Sequence, residues 1–344
     1  MKLGILTRYS DLGASSRLRF TQFVPFLKNS GFEILADAFF DDDYLQRLYS
    51  GKKRKFSALL RYYSGRRKFL NSLPGGIPLL IEYELFPHLP WCVEKSFLKN
   101  HPYILNFDDA VDIHYEKLPI LKNKYPQLIS HASGIICANE ILKEKFSRYN
   151  SNILLAPTIP PAEIKPGKEK SEKLTLVWTG TPVTGKFLLE RAAALQLAAQ
   201  KTAFRLLTVG CEINIPGVET TFIPWSASAE ALALSQAHAG IMPLPDTPFA
   251  RGKSAYKLIC YLRAGIPGIA SPVGANKQVI QDGSNGFLVN SDTEWAEAIS
   301  KLNDHTVYDR LASGALTAGK AFLPEDAAGK LLDFIRRNAI SPRR

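Results

Sequence analysis

Short apolar runs alternate with longer stretches of helical spacing through most of the chain, the pattern of a parallel α/β sheet whose strands are buried on both faces. In the N-terminal half, Leu3–Leu6, Phe32–Ala36, Leu79–Glu82, Tyr103–Asn106, Gly134–Ala138 and Ile153–Ala156 predict strands. Arg17–Asn29 has helical spacing, with Gly31 placed to stop it. Pro157, Pro160, Pro161, Pro166 and Gly167, followed by a Lys/Glu run to Lys173, have the composition of an interdomain linker. A second series then begins, with strands expected at Leu174–Trp178, Phe204–Val209, Thr220–Ile223, Gly240–Pro243, Ile266–Ala270 and Phe287–Val289. Its helices are expected at Lys186–Gln200, Ala227–Gln236, Ser254–Ala264 and Glu294–Leu302. The expected fold is α/β, with two Rossmann-like domains, residues 1–165 and 170–325, facing each other across a cleft outside the carboxyl ends of their strands. Ala327–Arg337, within a tail of residues 327–340, has helical apolar spacing and is expected to pack back on the first domain.

Composition narrows the function. A chain of 344 residues is long for one core and comfortable for two. No apolar stretch approaches the ~20 residues of a membrane-spanning helix, and Met1–Arg8 reads as a buried strand rather than a signal peptide. A cytoplasmic protein is expected, peripheral on the inner face of the membrane if its charge is used there. Cys92, Cys137, Cys211 and Cys260 form no C-x-x-C pair, which argues against zinc and against a disulfide framework. The six histidines show no ligand spacing, so no metal is expected.

The net charge of +11 is partly concentrated in Lys52-Lys53-Arg54-Lys55, Arg61 and Arg66-Arg67-Lys68. No acid interrupts residues 51–70, and Phe56, Leu59, Leu60, Tyr62 and Tyr63 are interleaved. Such a segment faces an anionic membrane surface, an anionic acceptor, or water. No zinc-finger, helix-turn-helix or RNP-like pattern accompanies it, so nucleic acid is not an expected partner. Asp41-Asp42-Asp43 reads as a polar turn after a strand.

Three segments of the second half carry candidate chemistry. Trp178-Thr179-Gly180-Thr181-Pro182-Val183-Thr184-Gly185-Lys186 lies between a strand and a helix, where backbone N–H groups meet an anion; alone it is also a plain turn. In Pro243 to Lys257, Arg251, Lys253 and Lys257 gather at or beside an expected helix N-terminus. The helix dipole disfavours cations there by ~0.3–1 kcal/mol each, so an anionic ligand is the simplest reason for them. The turn Ser271-Pro272-Val273-Gly274, with Ala275 and Asn276, is placed to present N–H groups to a ligand oxygen and is equally a structural turn.

Read together, Gly240-Ile241-Met242-Pro243-Leu244, Gly252-Lys253, Lys257-Leu258, Tyr261 to Pro267, Ala270 to Gly274 and Asn285-Gly286-Phe287-Leu288 resemble the donor domain of family-four-like glycosyltransferases (glycosyl transferases group 1), which have the GT-B fold. The likeness is close over residues 174–325 and looser in the N-terminal half, where it rests on Ser15-Ser16-Arg17-Leu18-Arg19-Phe20 and Phe107-Asp108-Asp109-Ala110. It implies transfer of a sugar from a nucleotide sugar to a glycan or lipid-linked acceptor with retention, in cell-surface polysaccharide synthesis, without a tightly bound metal or other cofactor. By position it implies a donor site at Gly180, Thr181, Arg251, Lys257, Gly274, Ala275 and Asn276, and an acceptor side at Ser15, Ser16 and Arg17. Lys186 and Lys253 are then expected to stabilise the departing diphosphate, and Asp108 or Asp109 to orient the acceptor hydroxyl or take its proton. The chain departs from the family where two glutamates eight positions apart are usual: Gly252 and Cys260 stand there. Two alternatives follow, a sugar-nucleotide epimerase on the same fold and a non-catalytic nucleotide-sugar-binding protein. A nicotinamide-dependent oxidoreductase ranks last, since neither half shows G-x-G-x-x-G after its first strand.

Overall fold

The structure is a computed structural model that describes residues 1–52, 56–167 and 170–339. It divides into two compact units: Met1–Thr158 with Gly252–Ser254 and the residues from Glu325 onward, and Ile159–Arg251 with Ala255–Pro324.

The first unit holds a parallel sheet of β1 (Lys2–Tyr9), β2 (Glu33–Phe40), β3 (Leu79–Glu82), β4 (Tyr103–Phe107), β5 (Gly134–Cys137) and β6 (Ile153–Leu155). Its order is β2-β1-β3-β4-β5-β6. The chain therefore reverses its direction of travel across the sheet between β1 and β3, the place where open α/β sheets take ligands. Strand side chains alternate between two cores, as a period of two requires. Leu79, Ile81 and Leu105 enter one core, and Leu3, Ile5, Leu80 and Ile104 enter the other. The helix Pro324–Asn338 covers the second core with Ala328, Leu331, Phe334 and Ile335, spaced along one helical face.

The second unit repeats the plan with β7 (Thr175–Thr179), β8 (Arg205–Val209), β9 (Glu219–Ile223), β10 (Ala239–Met242), β11 (Gly268–Ala270) and β12 (Gly286–Leu288). The order β12-β11-β10-β7-β8-β9 puts its reversal between β7 and β10. The inner strands are buried along their length, which is why they read as continuous apolar runs; edge strand β9 carries exposed positions and reads less clearly. Gly240 is fixed by packing, since a Cβ there would lie 2.2 Å from the ring of fully buried Tyr261.

The strands lie where the apolar runs put them, and the helices differ at three places. Arg17–Asn29 is two helices, Ala14–Arg19 and Val24–Asn29, joined by a short 3-10 turn. Pro25 has no N–H to continue a helix and sits in the first turn of the second one, where none is needed. Lys186–Gln200 is also two helices, Pro182–Leu189 and Ala192–Lys201; the first starts early because Pro182 opens it. Ser254–Ala264 begins only at Tyr256, after Ala255 takes φ 55°. The proline-rich stretch is not a free linker: Ile159 and Ile164 are buried, and a Cβ on Gly167 would lie 2.4 Å from the Ser235 carbonyl oxygen.

Candidate functional site

In the first unit, chemistry collects at the carboxyl ends of β1, β3 and β4. The Glu82 carboxylate, buried at the end of β3, accepts from the Arg8 N–H at 2.7 Å and from the Ser16 hydroxyl at 2.6 Å. The Ser16 oxygen in turn accepts from the Tyr9 N–H at 3.0 Å. Ser16 is fully buried and ties β1 to β3, which corrects its reading as an acceptor contact. Ser15 is half-buried beside Glu82, and Arg17 donates to the Asp11 carbonyl at 2.7 Å. Buried Arg19 donates to Asn106 at 2.6 and 2.9 Å and to the Ala156 carbonyl at 2.5 Å, fastening the helix Ala14–Arg19 to the sheet.

Next to Glu82, Tyr83 takes φ 62°, a conformation that a bulky residue adopts only when its surroundings force it. That turn aims the Tyr83 hydroxyl at Asp108, to which it donates a hydrogen bond. The Arg8 guanidinium lies 5.7 Å from the centre of the Tyr83 ring. The Asp108 carboxyl is pushed up to about 7, by burial first and then by the like charge of Asp109; the Tyr83 hydroxyl and Arg19 pull the other way. Asp109 pairs with Lys253 at 2.8 Å. Asn139 holds that lysine's segment by donating to the carbonyls of Gly252 and Lys253 at 3.0 and 3.1 Å.

This placement corrects two expectations. Lys253 belongs with the first unit and answers Asp109, rather than standing at a helix start. Gly252 replaces a glutamate for a steric reason: a Cβ there would meet that of Ala110 at 2.4 Å. Behind Tyr83 lies a fully buried ionic cluster, in which Lys124 reaches Glu84 at 2.5 Å and Glu94 at 2.7 Å. Arg8, Glu82, Tyr83, Glu84 and Lys124 were not candidates from sequence. Their signal is Glu82-Tyr83-Glu84 directly after the buried run Leu79–Ile81, polar residues where a strand ends.

In the second unit, the turn after β7 enters the helix Pro182–Leu189. Thr181 occupies the N-cap, and its carbonyl accepts from the Thr184 and Gly185 N–H groups at 2.9 and 3.1 Å. Gly180 must be glycine here, since a Cβ would lie 2.5 Å from the Trp178 ring. Its N–H, expected to meet a phosphate, donates instead to the Val209 carbonyl at 2.9 Å. Lys186 is exposed on that helix, with Nζ 5.2 Å from the Phe187 ring. The Lys257 Nζ lies 5.7 Å from the Trp178 ring.

Arg251 ends the short helix Pro248–Arg251 and makes a two-pronged pair with Asp246 at 2.6 and 2.9 Å. It thus sits where a helix dipole favours a cation, and the reading that set it at an N-terminus is corrected. Gly274 has φ 56°, and a Cβ on it would strike the Arg251 carbonyl oxygen at 2.3 Å. Ala275 is buried, and the Asn276 N–H donates to the Val273 carbonyl at 3.1 Å, so that amide is spent inside the turn. Cys260 is fully buried, and burial pushes its thiol well up, followed by the charge of Glu230. Glu230 itself accepts from the Thr179 hydroxyl at 2.7 Å and from the Trp225 indole N–H at 3.1 Å.

Residues 175–305 match the family described as glycosyl transferases group 1. These residues are thus similar to a group 1 glycosyltransferase domain. No curated protein matches the chain in sequence. Among solved structures, Anabaena HepE in complex with UDP-glucose is similar at TM-score 0.70 and 13% identity, covering 98% of this chain and 100% of that one. Sucrose-phosphate synthase from Thermosynechococcus elongatus is similar at TM-score 0.66 and 13% identity, covering 98% of each chain. The pneumococcal O-GlcNAc transferase GtfA, in complex with UDP and GlcNAc, gives 0.60 and 15%, covering 81% of this chain and 60% of that one. These likenesses give the fold, the two parallel six-stranded α/β units of GT-B glycosyltransferases. The matched residues span the turn after β7 and the segments around Arg251, Lys257 and Gly274, so the family match and the site candidates of the second unit coincide.

Proposed function

We infer that the chain transfers a sugar from a nucleoside-diphosphate donor to a glycan or lipid-linked acceptor, with retention, in the building of a surface polysaccharide. The observation that carries this reading is the turn after β7: a glycine closed against Trp178, a capping threonine and a proline-led helix whose Thr184 and Gly185 amides bond the Thr181 carbonyl, leaving the Thr181 and Val183 N–H groups at the helix start for an anion. The leaving diphosphate gains charge as the glycosidic bond breaks. Those amides and Lys186 stabilise it more in the transition state than in the ground state. Asp108 orients the acceptor hydroxyl, and Lys253, by balancing Asp109, sets how readily Asp108 ionises. HepE and GtfA are described with UDP, which makes a UDP-sugar the first donor to try.

A thermal-shift panel of UDP, GDP, ADP and their sugar conjugates tests this. A nucleotide at about 100 times its dissociation constant adds ~2.7 kcal/mol of stability, and Lys186→Ala should need several-fold more ligand for the same shift. If no nucleotide raises the melting temperature, the donor reading is wrong. Donor incubated without acceptor should remain unisomerised; an isomerised sugar would make the protein an epimerase.

The acceptor side also bears on a membrane surface. Lys53, Arg54 and Lys55 lie outside the described residues. Within the helix Phe56–Ser72, Arg66 is buried against Asp37 at 2.5 Å and Arg61 pairs with Asp41 at 2.8 Å, so neither is free for a membrane. Asp41 also caps the next helix by accepting from the Tyr44 N–H, so it is more than a polar turn. Arg67 and Lys68 remain exposed. Among the described residues no helix is long and apolar enough to cross a membrane. Wild-type protein should co-sediment with phosphatidylserine vesicles at low salt, and R67E/K68E should weaken this by roughly 1 kcal/mol per charge. Equal sedimentation of both proteins removes the membrane role from this helix.

A further inference from the structure

The helix Ala227–Gln236 starts at Ser226, whose hydroxyl accepts from the Ala229 N–H at 3.0 Å. This cap fixes Glu230 in the first turn, at the carboxyl edge of the sheet. There its carboxylate is held from two sides, by Thr179 at the end of β7 and by Trp225 just after β9. Thr179 directly precedes the Gly180–Thr181 turn, so Glu230 stands one residue from the loop that meets the diphosphate. Glu230 is 7% exposed, and its two hydrogen-bond donors, the Thr179 hydroxyl and the Trp225 indole, are both neutral. A buried carboxylate is costly to desolvate, and such groups gather at functional sites.

A carboxylate offers about four acceptor positions. Thr179 and Trp225 use two, one on each oxygen, which leaves one free position on each for a pair of neighbouring hydroxyls. In nucleotide-binding α/β folds that pair is the ribose diol, read by an acidic side chain near the edge of the sheet. Trp225, 38% exposed beside Glu230, supplies a flat face for a base. We propose that Glu230 is the carboxylate that reads the donor's ribose, accepting from its 2′- and 3′-hydroxyls, and that it makes the site selective for ribonucleotides. This rests on the nucleoside-diphosphate reading given above.

Calorimetric titration of the full chain with UDP and 2′-deoxyUDP, and with GDP and 2′-deoxyGDP, tests it. Wild type should prefer the ribonucleotide by roughly 10- to 100-fold, the range of a hydrogen bond to a charged group. In Glu230→Gln the ribonucleotide should bind about as weakly as the deoxynucleotide binds wild type, with the preference falling below about 3-fold. Glu230→Asp, which keeps the charge but withdraws it, serves if the glutamine variant loses its near-UV circular dichroism. Binding without ribose preference in wild type, or full preference retained in a folded variant, overturns the assignment and leaves the donor reading standing. Absence of binding by all four nucleotides overturns both.

Discussion

Asp108→Asn is expected to slow sugar transfer by on the order of 10²-fold, the lower range for loss of a positioned acid–base group. It should also abolish a pH dependence that wild type shows. The Asp108 carboxyl, raised to about 7 by burial and by Asp109, must be ionised to accept the proton or hydrogen bond of an acceptor hydroxyl. The wild-type rate should therefore rise as pH increases through about 7 and level off above it, whereas the asparagine variant should be flat across that range. The groups facing Asp108 are Tyr83, Asp109, Arg19, Glu82 and Lys253. Of these, Tyr83 donates to it directly and favours the charged form, so Tyr83→Phe should move the rise to higher pH while keeping its shape. A pH–rate series on the three proteins decides the matter. A folded Asp108→Asn enzyme with the wild-type rate and profile would remove Asp108 from the chemistry.

Lys124→Met is expected to cost ~3–5 kcal/mol of stability, the usual result of removing one partner from a buried ion cluster. The Lys124 ammonium is 1% exposed and donates to Glu84, Glu94 and the Phe86 carbonyl, the last at 2.7 Å. Without it two carboxylates share a dry core. Burial already raises the Glu94 carboxyl in the intact protein, because Lys124 offsets only part of its desolvation. In the variant that acid should be raised further above its unfolded value. A raised acid costs stability when ionised, so the loss should be full at pH 8 and shrink as pH falls and the Glu94 carboxyl takes up its proton. Urea unfolding at pH 8 and pH 5 measures both effects. Adding Glu94→Gln should recover part of the loss at pH 8. An unchanged midpoint at pH 8 would mean that the cluster contributes nothing to the fold.

The strands were legible because each inner strand is buried on both faces and its apolar run has no competing explanation. The turn after β7 was legible too, from Gly180 and Pro182 between a strand and a helix. What failed was the partner of each charge. Arg251 looked like a cation at a helix start, and nothing local shows that a short helix ends there against Asp246. Lys253 and Asp109 are 144 positions apart, and Arg66 and Asp37 meet across 29; spacing carries no record of either pair. Glu230 escaped because one acid in a helix reads as solvated, and only the fold shows it closed in by Thr179 and Trp225. Composition ranks residues by type, whereas each unit's candidate site is made by which ones its own sheet reversal brings to one edge.

The helix Pro324–Asn338 supplies four side chains to one face of the first sheet. On the ribosome that face is the earliest to emerge and the last to be covered, since the whole second unit must be synthesised in between. At ordinary elongation rates this core, with Phe20, Phe23 and Leu27 already in place, would wait on the order of ten seconds for the rest of its cover. The nascent first unit is thus a natural client for chaperones, and a frameshift late in the coding sequence would damage the amino-terminal unit as surely as the carboxyl-terminal one.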